Sequence, residues 1–160
     1  MDQDTLNTIL KDTFTLAHFK HRLHILKANL LKTFFGSEGE NLPLSPQDLS
    51  WLKSLPLLFY EKFTRENVYK IFSDLEQESN KLAILTIYLT FEPDDATINR
   101  IGLFSRKTFS SSMLLDIKLD LSLIAGTALS WKGILRDYSL RVKIKERKGE
   151  ILENFKRFLR

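Results

Sequence analysis

The apolar residues of this 160-residue chain keep a helical period up to about residue 80 and then change to a period of two. Leu6, Ile9, Leu16, Leu23, Leu30 and Phe34 recur at helical spacing, whereas Leu85, Ile87, Leu89 and Phe91 alternate with Thr86, Tyr88 and Thr90. A helix puts residues three or four apart on one face, and a strand puts every second residue there. Both patterns in succession predict an α+β fold. An N-terminal α-helical bundle occupies residues 1–80, followed over residues 81–160 by a small β-α-β-β-β domain with a C-terminal amphipathic helix.

The punctuation residues refine this outline. Residues 3–35 contain neither Pro nor Gly and read as one helix, which Gly36 stops. Residues 36–43, with two glycines and a proline, form a polar connector. Ser45-Pro46 opens the next helix, because Ser offers a side-chain oxygen to unpaired backbone N–H groups and Pro at the first helical position has no N–H to leave unpaired. That helix runs to about Phe63 and is disturbed at Pro56. Thr64 caps another, from Arg65 to about Asn80. After the first strand, Asp94-Asp95 caps a short helix with Ile98, Ile101 and Phe104 on its apolar side. Met113–Leu119 is a second strand, and Thr127–Trp131 and Ile134–Arg136 form a hairpin in which Gly133 supplies positive φ. The tail carries both periods: Leu140, Val142 and Ile144 alternate as in a strand, yet Leu140, Ile144, Ile151, Phe155, Phe158 and Leu159 fit a helix. The second pattern is the longer, and it predicts a helix from about Ser139, with Gly149 as a weak point costing about 1 kcal/mol relative to Ala.

Composition narrows the function classes. With 43% hydrophobic residues the chain can bury a sizeable core, and with no cysteine it has no disulfide framework, thiol nucleophile or zinc ribbon. No apolar run reaches the roughly 18 residues of a membrane span, and the acidic start Met1-Asp2-Gln3-Asp4 resembles neither a secretory signal nor a presequence, so a cytoplasmic site of action is expected. The net charge of +4 is unevenly placed: residues 1–131 carry 14 basic against 16 acidic side chains, and residues 132–160 carry 10 against 4. An acidic partner would meet the C-terminal end.

The catalytic patterns present are weak. His18, His21 and His24 fan across about 120 degrees of a helix, which strains convergence on one metal ion; surface or interface histidines are the better reading. Gly36-Ser37-Glu38-Gly39 has the spacing of a nucleotide-clamping loop, but Glu38 and Glu40 would repel phosphate. Ser50 and Lys53 match a serine-lysine spacing without companion motifs, and Asp94-Asp95 fits helix capping better than acid-base chemistry. No phosphate-binding glycine loop is present. An enzyme is not expected, and neither a cofactor nor a small-molecule substrate.

Over residues 82–148 the order of pieces becomes specific. A strand Leu85-Thr86-Ile87-Tyr88-Leu89-Thr90, a short capped helix and a strand ending in Asp120 are followed by Leu121-Ser122-Leu123-Ile124-Ala125-Gly126, a hairpin, and Asp137-Tyr138-Ser139-Leu140-Arg141 opening a terminal helix. This resembles the C-terminal part of the delta subunit of F-type ATP synthases, called the oligomycin-sensitivity-conferring protein in mitochondria. Leu121 stands where that family has Pro, Ala125 replaces the first Gly, and Tyr138 replaces a Gly, while the helical half is shorter than the family's six-helix domain. The resemblance implies a non-catalytic peripheral-stalk adaptor, monomeric in its complex, joining the alpha subunits of the headpiece to the b-type stalk subunit at the cytoplasmic face of a bacterial inner membrane. Leu58, Phe59 and Phe63 are then expected on the alpha side. Leu140, Ile144, Ile151 and Phe155, rimmed by Arg141 and Arg147, are expected either on the stalk side or packed inside the C-terminal domain. Asp120, Ser122, Ile124, Gly126, Gly133, Asp137 and Ser139 would shape the turns. The alternative is a small basic nucleic-acid-binding module on the cationic tail, whose binding would be strongly salt dependent.

Overall fold

The computed structural model describes residues 3–36 and 43–159, so most of the polar connector and its glycine-spaced motif lie outside the described residues. Where one helix is expected over 3–35 there are two, α1 (Gln3–Leu10) and α2 (Leu16–Phe35). Hydroxyls cause the break. The Thr13 hydroxyl donates back to the Ile9 carbonyl, and the Thr15 hydroxyl accepts from the His18 N–H at 3.2 Å from an extended backbone. Such local side-chain bonds offer the chain an alternative to helix propagation. Gly36, at φ +74, closes α2 as expected.

Helix α3 (Pro46–Ser54) starts on a reciprocal cap in which Ser45 Oγ accepts from the Asp48 N–H and the Asp48 carboxylate accepts from the Ser45 N–H, each at 3.1 Å. Pro56 does more than disturb the next stretch. It ends α3, and only the single turn α4 (Leu57–Tyr60) follows. Helix α5 (Val68–Ser79) begins three residues later than expected, because Thr64 and Asn67 exchange side-chain to backbone bonds across the preceding turn. The interior of this half is built on Ile9, Phe19, Leu26, Val68, Phe72 and Leu75.

Strands β1 (Ile84–Leu89), β2 (Leu114–Leu119), β3 (Thr127–Trp131) and β4 (Ile134–Asp137) form one mixed sheet in the order β2-β1-β3-β4. β1 and β2 are parallel, which requires a crossover, supplied by α6 (Asp95–Thr108). β3 is antiparallel to β1 and turns back as β4 through Lys132 and Gly133, both at positive φ. The register places Leu85 between Leu115 and Trp131, and Ile87 between Ile117 and Leu129; with Met113 and Ile101 these side chains make a second core. Asp94 caps α6 by accepting from the Thr97 N–H at 2.9 Å. Two expected members of the apolar faces are exposed instead: Phe91 lies beyond β1, and Phe104 faces away because Gly102 and Ser105 are the residues α6 buries.

The two patterned regions meet along β2. Leu115 accepts an edge bridge from Thr15, with its N–H donating to the Phe14 carbonyl at 2.8 Å, while the preceding Leu114 belongs to the helical core. After β4, the tail is helical as expected but broken at Arg147, two residues before Gly149, into α7 (Leu140–Glu146) and α8 (Lys148–Phe158). Among the described residues no helix is long and apolar enough to cross a membrane.

Candidate docking surface

The loop after β2 and the loop before α7 are far apart in sequence and form one hydrogen-bonded corner. At the end of β2, Asp120 donates its N–H to the Leu89 carbonyl at 2.8 Å, and its Oδ1 accepts from the Ser122 N–H at 2.9 Å and the Ser122 hydroxyl at 2.6 Å. This closes a 3-10 turn, Leu121–Leu123, with Leu123 buried beneath it. Ile124 then takes φ +69, an uncommon conformation for a β-branched residue. Gly126 sits at φ +86, where an added Cβ would lie 2.8 Å from the Tyr138 carbonyl oxygen, so only glycine fits without a shift. Ala125 and Tyr138, which stand where the resembled family carries glycine, keep negative φ.

The second loop is tied to the first through backbone and side chains. Tyr138 donates to the Thr127 carbonyl at 2.9 Å and Leu140 to the Ala125 carbonyl at 2.8 Å. Asp137 Oδ1 accepts from the Ser139 N–H at 2.9 Å, and Asp137 Oδ2 accepts from Arg141 Nη2 at 2.8 Å. Arg141 Nη1 donates to Ser122 Oγ at 2.7 Å, bridging the two loops. Hydrogen bonds from Ser139 and Arg141 lower the Asp137 carboxyl from 3.8 to about 2, and those from Ser122 lower Asp120 in the same direction. Six of the seven turn residues named above, Asp120, Ser122, Ile124, Gly126, Asp137 and Ser139, lie in this corner; Gly133 is apart, in the β3–β4 hairpin. Arg141, expected at the rim of a docking face, is instead engaged inside the corner.

The corner fixes where α7 begins, and what it launches is an uncovered amphipathic surface. Neither α7 nor α8 contains a buried residue. Leu140, Ile144 and Ile151 are exposed, and Phe155 and Phe158 are 62% and 89% exposed. Leu140, Ile144 and Ile151 are the more covered members, at 36–40% exposure, and the α8 end of the strip is the more open. Arg147 is exposed at the α7–α8 break. Lys143 and Lys145 lie in the last turn of α7, and α8 runs from Glu150 and Glu153 to Lys156 and Arg157.

On the helical side the structure separates the three expected anchors. Leu58 is 72% exposed, but Phe59 and Phe63, at 3% and 4%, are core residues whose rings lie 5.4 Å apart, with Phe63 stacked on Phe72 at 5.8 Å. Pro56 explains this: by ending α3 it re-aims the following turn so that Phe59 points inward. His21 Nε2 lies 2.9 Å from Asp48 Oδ1, His18 and His24 are exposed, and among the described residues no group of three or more His, Cys, Asp or Glu side chains is arranged to hold a metal ion.

Three residues at the meeting of the two patterned regions carry no motif and were not singled out above. Arg106 donates to the carbonyls of Leu10, Thr13 and Met113, its guanidinium lies 4.6 Å from the Phe14 ring centroid, and an added Cβ on Gly102 would overlap Phe14. A lone glycine inside the apolar pattern of α6 is the one local sign of this close approach. No protein-family model matches this chain, and no curated protein matches it.

Proposed function

We propose that this chain is a non-catalytic peripheral-stalk adaptor of an F-type ATP synthase, binding the b-type stalk subunit through α7–α8 and the alpha subunits of the headpiece through its helical half. The division into an N-terminal bundle and a C-terminal α/β domain, and a location at the cytoplasmic face of a bacterial inner membrane through the complex, belong to this proposal. One observation carries it: the residues quoted for the resemblance, spread from Asp120 to Arg141, converge on one corner whose product is an unburied amphipathic helix. Amphipathic helices with apolar anchors one turn apart are a common mode of protein docking. Resisting torque calls for slow dissociation, and a nanomolar complex corresponds to about 12 kcal/mol, within reach of about 800 Å² buried per partner around a few well-packed anchors. On the headpiece side, Leu58 is the candidate anchor that remains exposed.

The nucleic-acid alternative gains one observation, since Phe155 and Phe158 are exposed beside Lys156 and Arg157. Against it, Ile151, Leu152 and Leu159 offer no ring for base stacking, and Glu150 and Glu153 would repel phosphate. The deciding experiment is native mass spectrometry of the full chain with folded cognate alpha and b-type subunits at moderate salt, in parallel with single-stranded RNA. A 1:1 complex with the stalk subunit that Phe155→Asp abolishes is expected. RNA binding that collapses with salt, without subunit binding, would replace the proposal by its alternative.

A further inference from the structure

We propose that the Thr13–Thr15 segment is a pinned strap that locks the helical core and the sheet core into one mechanically rigid body, with Arg106 as the pin. The strap meets β2 at a single parallel bridge, Thr15–Leu115, with the Leu115 N–H donating to the Phe14 carbonyl at 2.8 Å. It thereby pairs backbone groups at one point, Leu115, of the β2 edge of the sheet.

Arg106 makes the attachment hard to slide. From α6, on the sheet side, its planar fork reaches the Leu10 carbonyl at 2.8 Å and the Thr13 carbonyl, both on the helical side, as well as the Met113 carbonyl at the entrance to β2. Leu10 ends α1, where backbone carbonyls lack helical partners and a cation is favoured. The guanidinium also covers the Phe14 ring. Under that ring, Gly102 is the gap: an added Cβ would come within 2.3 Å of Phe14 Cδ1. Leu114 and Leu115 complete the lock, because successive residues of one strand enter the two different cores. Any rotation of one core against the other must break all of these together. The inference goes beyond the stator reading and stands or falls without it.

The two tryptophans provide a probe for each core, Trp51 in α3 and Trp131 in β3. In full-length Trp131→Phe and Trp51→Phe proteins, urea unfolding followed by the remaining tryptophan is expected at coincident midpoints. Adding Arg106→Gln or Gly102→Ala should part the two midpoints by on the order of 1 M urea. Midpoints already apart with the pin intact, or still coincident after both substitutions, overturn the proposal. If either variant fails to fold, amide exchange of the unaltered protein decides: the Leu115 N–H is expected to be as protected as the Ile87 N–H, and exchange at a loop-like rate overturns the strap.

Discussion

At the scale of single residues, the corner that launches α7 makes the sharpest demands. Gly126 combines positive φ with a carbonyl oxygen 2.8 Å from where a Cβ would go, so Gly126→Ala should destabilise the protein by about 1–3 kcal/mol, measured as a lowered urea midpoint. Gly133 also has positive φ but nothing within 4 Å, so Gly133→Ala meets the conformational strain without the clash and should cost less. Asp137 gives a pH signature. Its folded carboxyl is lowered from 3.8 to about 2, so its contribution is fully present above about pH 4 and is lost as pH falls toward 2. The urea midpoint should drop across that window, and Asp137→Asn should flatten the part of the drop that this carboxyl supplies; Asp48, Asp94 and Asp120, lowered in the same direction, account for a remainder. The hairpin glycine and the caps at Ser45 and Asp94 were legible in the sequence because each rests on the residue's own geometry or hydrogen-bonding groups. The reach of Arg106 was not legible, since two of its three carbonyl partners lie more than ninety residues away in the chain.

Element boundaries depended on which local signal won. The apolar spacing of residues 3–35 supports a continuous helix, yet two threonine hydroxyls interrupt it, and periodicity does not register hydroxyls. Thr15→Ala should therefore cost about 1 kcal/mol through loss of the α2 cap, read as a lower unfolding midpoint. The single turn after Pro56 shows a related limit. Phe59 and Phe63 have the spacing of an exposed anchor pair, and only the change of direction at Pro56 decides that they enter the core. α8 shows the converse: its apolar stripe was legible, but a stripe does not say whether the fold itself will cover it. Because α8 is uncovered, Phe155→Asp should leave folding stability within about 0.5 kcal/mol of the original while removing stalk binding. A large stability loss would instead mean that α8 packs on its own domain.

For the whole molecule, the presence of both helices and a sheet was legible from the change of period, since each period reflects the backbone geometry of its element. How the halves are joined was not, because the strap lies at residues 13–15 while pin and gap lie about ninety residues on, one turn apart in α6. Removing residues 148–160 should leave the unfolding midpoint and its steepness unchanged in a urea titration, because α8 holds no buried residue, and should eliminate binding to a stalk partner. The charge balance of the tail belongs to this scale too. If α7–α8 docks by its apolar strip with cations at the rim, raising salt should slow association more than it speeds dissociation, as surface plasmon resonance can separate.

The alternation of Leu114 and Leu115 between two interiors restricts how this chain can change its length. Slipping β2 by one position would move Asp116 to a face now occupied by Leu115 and Ile117, placing a carboxylate against apolar side chains. Insertions can accumulate in the Phe109–Ser112 approach to the strand, but not within it, so natural variants should differ in the length of that approach while β2 itself keeps its count.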